Sequence, residues 1–411
     1  MLGKTKVAML IAGTVAALTM AAACSPAAAP APTAAPAKPA TDATKAPAAP
    51  AASTSAPAAA APSGGTIKIG FTAPLTGDQS LFGKTWLNGV MVAVNEANAA
   101  GGVLGKQIEV PALDDQADPK QGPVVAQRFA DDKSIVAVVG PFNSGVAIPA
   151  APVYNKARLV AISTATNPKI TTLGFDTFFR TIANDNVQGG TPADYFTKKL
   201  NAKKAAVVHD KQAFGQGVSD VFAAKFKELG GTITSVNGIT ATDTDFSAVV
   251  TKIKSESPDV IQYGGTHVAG GLLLKQLRAQ GLKQPFMAPD GCYTPEFIQV
   301  AGKENAEGAM VTFQIPPYDA TPATQKFAAD YKKTFNEDPG PYSGSGYDMG
   351  KVLIAGIKGA NSTDREAIVK ATHAVKIDGL YGPIEFDATG EVKQPAIFIF
   401  QVKDGKFELV K

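Results

Sequence analysis

From residue 66 onward, short apolar runs alternate with longer amphipathic stretches. Thr66-Ile-Lys-Ile-Gly-Phe71, the segment 107–113, Ile135-Val-Ala-Val-Val139 and Arg158-Leu-Val-Ala-Ile162 read as strands. Between them, 80–99, 119–132 and 146–154 read as helices, the first stopped by Gly101-Gly102. Apolar strands separated by helices imply a parallel sheet covered on both faces. After Phe178-Phe-Arg-Thr-Ile-Ala183 the alternation restarts. Helices are predicted over 187–200, 214–229, 245–254 and 267–279, and strands over 205–209, 232–236, 259–263 and 285–288, forming a second parallel sheet. The remainder holds a strand at 308–313, helices at 322–336, 346–358 and near 363–373, and β segments at 377–381, 384–386, 396–402 and 406–410. These last pieces are too few for a third domain and are expected to return to the first two. The fold class is α/β, with a ligand cleft between two lobes.

Two turns carry the first chemical signal. Gly140-Pro-Phe-Asn-Ser-Gly-Val146 leaves one strand and opens a helix, and Ser163-Thr-Ala-Thr-Asn-Pro168 leaves the next strand. A helix N-terminus has unpaired N–H groups and a partial positive charge, which suits a carboxylate. Ser144 adds a hydroxyl at the expected capping position. Thr164 and Thr166 stand at the strand end, where open α/β sheets bind ligands. An ordinary pair of βα turns with a helix cap explains the same residues, so the turns alone leave both readings open.

Composition narrows the classes. The 411 residues suffice for two domains, and 45% hydrophobic against 18% charged residues supports a globular core. Lys and Arg number 39 against 36 Asp and Glu, without a basic cluster, so no nucleic-acid partner is expected. Two cysteines, Cys24 and Cys292, make no disulfide framework. Three scattered histidines give no zinc site, and no cofactor is expected.

The beginning of the chain reads as an address. Lys4 and Lys6 precede an apolar stretch over 7–20, too short for a comfortable membrane span, and Ala21-Ala-Ala-Cys24 follows. Residues 1–24 resemble a bacterial lipoprotein signal, with Cys24 the lipidated residue, although Leu is more usual where Ala21 stands. Residues 25–64 are almost entirely Ala, Pro, Ser and Thr, which cannot bury a core and are expected to form a disordered linker. Extended at about 3.1 Å per residue, such a linker spans up to about 100 Å. Anchor and tether together predict an extracytoplasmic protein.

Catalytic motifs fail on spacing. Gly77-Asp-Gln-Ser-Leu-Phe-Gly-Lys-Thr85 has one residue too many for a P-loop, and Gly344-Ser-Gly-Tyr-Asp-Met-Gly350 misplaces its last glycine for a dinucleotide fingerprint. Neither G-x-S-x-G nor H-E-x-x-H occurs. Asp114-Asp115 at a strand end suits a solvated turn better than acid–base chemistry. The chain is not expected to be an enzyme.

Seven blocks in order carry a family resemblance: Ala73-Pro-Leu-Thr-Gly77, Asn98-Ala-Ala-Gly-Gly-Val-Leu-Gly-Lys106, Asp114-Asp-Gln-Ala-Asp-Pro-Lys-Gln121, His209-Asp-Lys-Gln-Ala-Phe-Gly-Gln-Gly217, Tyr263-Gly-Gly265, Met287-Ala-Pro-Asp-Gly291 and Ala306-Glu-Gly308. Together they resemble the Leu/Ile/Val-binding proteins of ABC transporters, with the type I periplasmic binding fold. The resemblance implies two Rossmann-like lobes, each a parallel sheet flanked by helices, joined by a three-strand hinge. Residues 65–183 with 314–390 would form one lobe, and 184–313 with 391–411 the other. It also implies a site. Ser144 and nearby N–H groups would take a ligand α-carboxylate, helped by Thr166. The carbonyl of Thr164 or Ala165 and the Thr166 hydroxyl would accept from an ammonium, with Asp290 the opposing charge. Phe82, Phe142, Phe214 and Tyr342 would wall the ligand.

Several positions depart from the relatives. Asp290 stands where Glu is frequent, Phe82 and Phe214 where Tyr is common, and Thr266 where a Tyr can hold the ammonium. Ala117 and Asn143 replace a disulfide of some relatives, which frees Asn143 to face the ligand. Each residue also has an ordinary structural use: Asp290 as a turn cap, the phenylalanines as core, Tyr342 as a hinge brace.

The implied protein is a monomeric binding protein that captures a small, aliphatic amino acid and delivers it to the permease subunits of an ABC importer, tethered to the membrane through Cys24. Two alternatives stay open. One is an aromatic acid, short carboxylic acid or amide as ligand; the other is a sensing lobe for a membrane receptor.

Overall fold

The computed structural model describes residues 64–240 and 242–410. The leader over 1–24, with Cys24, and the linker to residue 63 lie outside the described residues.

The chain opens with β1 (Thr66–Ala73), α1 (Ser80–Ala99), β2 (Gln107–Glu109), β3 (Ala112–Asp114), α2 (Gln121–Asp131), β4 (Ile135–Val139), α3 (Ser144–Lys156), β5 (Val160–Ile162) and β6 (Phe178–Phe179). It continues with α4 (Asp185–Lys198), β7 (Lys204–His209), α5 (Ala213–Glu228), β8 (Thr232–Gly238), α6 (Ser247–Glu256), β9 (Val260–Gly264), α7 (His267–Ala279), β10 (Phe286–Ala288), α8 (Pro295–Ala301), α9 (Lys303–Ala306) and β11 (Met310–Phe313). Then come α10 (Pro322–Phe335), α11 (Ser343–Ala360), α12 (Arg365–His373), the hairpin β12 (Lys376–Gly379) and β13 (Gly382–Glu385), and finally β14 (Phe398–Lys403) and β15 (Lys406–Leu409).

The first lobe is a parallel sheet in the order β2-β1-β4-β5-β6, with β3 also on β1. Val138 packs with Phe129, Ala147 and Tyr154 of α2 and α3. Its neighbours Ala137 and Val139 pack with Trp86, Val90 and Leu353 of α1 and α11. This is the period-2 alternation of a strand buried on both faces. The second sheet runs β15-β14-β11-β10-β9-β7-β8. Val207 faces Phe222 of α5, and Val208 shares the opposite layer with Val250 and Leu273 of α6 and α7.

The second sheet corrects the expectation of two purely parallel sheets. Strand β14 pairs antiparallel with β11, and β15 pairs antiparallel with β14, the two being joined by the tight turn Asp404-Gly405. The expected strand over 107–113 is two short strands, since Pro111 has no N–H to donate where they part. The last strand of the first sheet, β6, ends at Phe179, where the chain leaves the sheet.

Three segments pass between the lobes: after β6, after β11 and before β14. The first and third run side by side, through a parallel bridge of Arg180 with Glu391. Arg180 is fully buried and forms an ion pair with Glu391. Helix α1 lies unusually close to α11. A Cβ on Gly89 would fall 1.9 Å from Ser343 O, and one on Gly346 would fall 2.2 Å from Trp86 O.

Candidate functional site

In the first sheet the strand order reverses between β1 and β4; in the second it reverses between β7 and β9. Loops at the carboxyl ends of strands diverge at such points and leave a crevice. Both crevices open on one narrow, partly open space, with a cavity volume of about 30 Å³. Its walls are Phe82, Phe142, Asn143, Ser144, Thr164, Thr166 and Tyr342 from the first lobe, and Phe214, Thr266, Asp290 and Gly291 from the second. Ten of the eleven residues singled out from sequence meet there.

Ala165 does not. Its carbonyl accepts from Arg180 Nε at 2.7 Å, so it points into the hinge and is unavailable to a ligand ammonium. This corrects the sequence expectation for Ala165. Arg180 also donates to Asn167 O at 3.2 Å. The loop 164–167 is therefore fixed from behind by a buried guanidinium.

Ser144 also differs from expectation. The helix cap is Asn143, with extended backbone, and Ser144 is the first helical residue. Its hydroxyl accepts from Asn167 N at 3.1 Å. The N–H groups of Val146 and Ala147 both reach Asn143 O. Those of Ser144 and Gly145 have no intrahelical acceptor by the geometry of a first turn. Asn143 donates to Gln79 Oε1 at 2.7 Å, while its own Oδ1 is buried without a partner. The Thr164 hydroxyl turns back to Phe142 O at 3.3 Å.

Across the cleft, Asp290 is buried at 3% exposure. Its Oδ1 accepts from Gly291 N at 2.9 Å and its Oδ2 from Gln314 Nε2 at 2.8 Å. Burial raises the proton affinity of this carboxyl, while the hydrogen bonds from Gln314, Tyr342 and Gln188 pull the other way. Tyr342 comes from the opposite lobe in a left-handed conformation, φ 65°. Such a backbone is costly for a non-glycine residue and is held by its surroundings. The Tyr342 ring packs on Phe142 at 4.8 Å and on Phe82 at 5.4 Å.

The lobes touch directly around this space. Asn167 Nδ2 donates to Ala213 O at 2.7 Å, and Phe82 lies against His267. A buried carboxylate on one side and helix N–H groups on the other, separated by aromatic walls, can pair both ends of a small zwitterion away from water.

Sequence reading missed four supporting residues. Asp185, Gln188, Gln314 and His267 are all buried beside the wall residues. The sequence signal for His267 was its place at the start of the helix predicted over 267–279, whereas Asp185 falls before the helix predicted over 187–200. For Gln188 and Gln314 there was none.

A family model described as periplasmic binding protein matches residues 66–406. A Brucella melitensis protein called Leu/Ile/Val-binding protein homolog 3 is 37% identical over 345 residues, covering 83% of this chain and 92% of that protein. A Pseudomonas aeruginosa amino acid binding protein is 34% identical, covering 83% and 91%. The crystal structure of the leucine binding protein LivK from Thermotoga maritima superposes with a TM-score of 0.79 at 30% identity, covering 84% of this chain and 98% of that one. The branched-chain amino acid transporter substrate binding protein LivJ from Streptococcus pneumoniae, solved with isoleucine, gives 0.77 at 29%, covering 84% and 99%.

Proposed function

Because the chain belongs to the periplasmic binding protein family, we propose that its cleft captures a small aliphatic α-amino acid, of the branched-chain class, and delivers it to an ABC importer outside the cytoplasm. One observation carries the ligand assignment: Asp290 on one lobe faces the Ser144 helix N-terminus on the other across an aromatic-walled space. The α-carboxylate lies against Ser144 and the first-turn N–H groups of α3. The ammonium lies between Asp290, Thr166 Oγ1 and the Thr164 carbonyl. Phe82, Phe142, Phe214 and Tyr342 receive the aliphatic side chain.

The second lobe's Asp290 reaches only the ammonium while the first lobe alone holds the carboxylate, so a ligand needs both charges to bridge the lobes fully. Capture, hinge closure and release require no covalent step. Differences of one methylene in an apolar pocket are worth about 1–3 kcal/mol, so leucine, isoleucine and valine are expected to overlap. The leader and the Ala/Pro-rich linker support attachment to the membrane through a lipidated Cys24.

The test is thermal unfolding of the full chain, refolded to strip carried-over ligand, with a panel of amino acids and simple organic acids. Ligand at about 100 times its dissociation constant adds about 2.7 kcal/mol. Stabilisation by leucine, isoleucine or valine that is lost in Asp290→Asn supports the reading. A response to an aromatic or simple carboxylic acid alone would refute the ammonium site.

A further inference from the structure

Asn167 directly follows Thr164-Ala-Thr166 and is not itself a wall of the ligand space. It bonds in four directions. Its N–H donates to Ser144 Oγ at 3.1 Å, and its carbonyl accepts from Arg180 Nη2 at 3.2 Å. Its Oδ1 accepts from Lys169 N at 2.9 Å and so caps the short turn that follows. With Oδ1 taken, the side chain turns its Nδ2 toward the second lobe, where it donates to Ala213 O at 2.7 Å. Ala213 opens α5, and the next residue, Phe214, is a wall of the ligand space. A carbonyl oxygen has two lone pairs, so Ala213 O takes this amide while still serving its helix. Neither Asn167 nor Ala213 lies on a crossing segment, so the bond joins surfaces that part when the cleft opens.

The helix is shaped to admit the amide. Gly217 stands one turn after Ala213, on the same face of α5. A Cβ at Gly217 would fall 2.6 Å from Asn167 Nδ2 and 3.5 Å from Asn167 Cγ. The nearest atom of the second lobe, Asp185 Oδ2, would be 3.4 Å away, an ordinary contact. A methyl group at this position therefore fits its own lobe and collides with the other. Asn167 cannot swing aside without losing its bond to Lys169 or to Ala213. Glycine weakens a helix interior relative to alanine, and the passage of the Asn167 amide gives it a use here.

We propose that Asn167 and Gly217 form a closure latch. Asn167 is the positioning residue whose amide takes the Ala213 carbonyl as the lobes meet, and Gly217 is the gap that lets it arrive. The loop bearing Thr164 and Thr166 is thereby held against the helix start bearing Phe214, and the bound ligand leaves only after the latch has broken. This rests on the capture reading above and names a contact that sets how long the ligand stays.

The experiment follows tritiated L-leucine leaving the full chain during a chase with unlabelled leucine, with the equilibrium affinity read by calorimetry. One hydrogen bond is worth about two- to tenfold in an equilibrium constant. Asn167→Ala should release leucine about fivefold faster, with the association rate, obtained from the two measurements together, changed less than twofold. A slower association with an unchanged release would place the effect on the open cleft and overturn the latch. Gly217→Ala should release leucine at least fivefold faster, because its methyl group blocks the amide. The double variant should release it within twofold of Asn167→Ala, because the added methyl group then has nothing to strike. Effects of the two substitutions that multiply overturn the proposal, as does either single variant that releases leucine at the unsubstituted rate. Asn167→Asp keeps the acceptor for Lys169 and removes the donor to Ala213. It should release leucine at least as fast as Asn167→Ala, whereas a residue that only caps its own turn would keep the unsubstituted rate.

If the Asn167 variants do not fold, Gly217→Ala carries the test alone. Without ligand it should melt at or above the unsubstituted temperature, since alanine suits a helix, and still release leucine faster. Melting below that temperature would place the collision inside the second lobe and overturn the latch. Failure of the unsubstituted chain to bind leucine would overturn the amino-acid reading and the latch together, whereas leucine binding with unmoved release rates overturns the latch alone.

Discussion

The ring of Phe82, on the first lobe, meets the imidazole of His267, on the second, edge to face, with centroids 5.3 Å apart and planes at 81°. His267 is 4% exposed, and its Nδ1 is buried without a partner. It is also the first residue of α7, where the helix dipole disfavours an imidazolium. Burial lowers its pKa below the ordinary 6.5, with Glu296 and Asp78 acting the other way. His267 is therefore neutral in the closed cleft. An open cleft returns it to water, and below about pH 6.5 it gains a proton that closing must expel. Ligand affinity should fall relative to His267→Gln as the pH drops from about 7 to about 5, by at most about tenfold per unit. Calorimetry of both proteins across this range reads the ratio, and a constant ratio would show that the imidazole does not change environment on closure.

Trp86, the only tryptophan in the chain, packs on Phe142 with centroids 5.6 Å apart. Phe142 is a cleft wall, so a ligand that shifts this ring changes the indole surroundings. Saturating leucine should alter the intrinsic tryptophan emission, and Phe142→Leu should reduce the change while retaining binding. An emission spectrum that stays constant while calorimetry reports binding would contradict this path.

Asp348 on α11 is buried, and both its oxygens lie near Leu380 N, at 2.9 and 3.1 Å. Burial raises its pKa to about 7, although the Leu380 N–H and Lys351 oppose the shift. The folded-state value exceeds the unfolded one of about 3.9, so folding takes up a proton between them. Its stabilising contribution is full below about pH 4 and is lost as the pH rises through about 7. Asp348→Asn keeps an acceptor for Leu380 and removes the titration. The stability of the variant relative to the natural chain should grow by at most about 1.4 kcal/mol per pH unit over that window, then level off. Urea unfolding from about pH 4 to about pH 8 tests both slope and plateau.

Gly89 meets Ser343 across the α1–α11 contact with no room for a methyl group. Gly89→Ala forces the helices apart or strains them, and overpacking of this kind costs about 1–3 kcal/mol. Gly230→Ala adds a methyl in open space, though at φ 84°, and changes only local backbone strain. A melt in which Gly89→Ala unfolds at the natural temperature would show that the helices part freely. Because Tyr342 precedes α11 directly, Gly89→Ala should also weaken ligand binding.

Much of this was legible from residue order. Helix 80–99 has the predicted limits, since Gly101-Gly102 stops it and its apolar positions repeat at helical spacing. The wall residues from Phe82 to Tyr342 were recognisable because motifs of the family carry them. Tertiary position was not legible. That the Ala165 carbonyl turns to Arg180 depends on a guanidinium arriving from the hinge. That Ser144 accepts from Asn167 depends on the spacing between two strands. The antiparallel edge of the second sheet was hidden because β14 and β15 look the same in sequence whichever way they pair. Gln314 carries no local mark, because it meets Asp290 only through the fold.

The interleaving of the lobes along the chain has a consequence for how the protein comes into being. Tyr347 donates to Glu96 across 251 residues of sequence, and the second sheet is completed only by β14 and β15, which follow α11 and α12 in the chain. A chain emerging from its N-terminus presents α1 long before α11 exists to cover it. The first lobe cannot seal its core before α11 has been released, nor the second before β14, and contacts so distant in sequence form slowly. The two lobes therefore mature together, once α11 and the β14–β15 hairpin have both been made, and a chain that lacks them stays loosely packed.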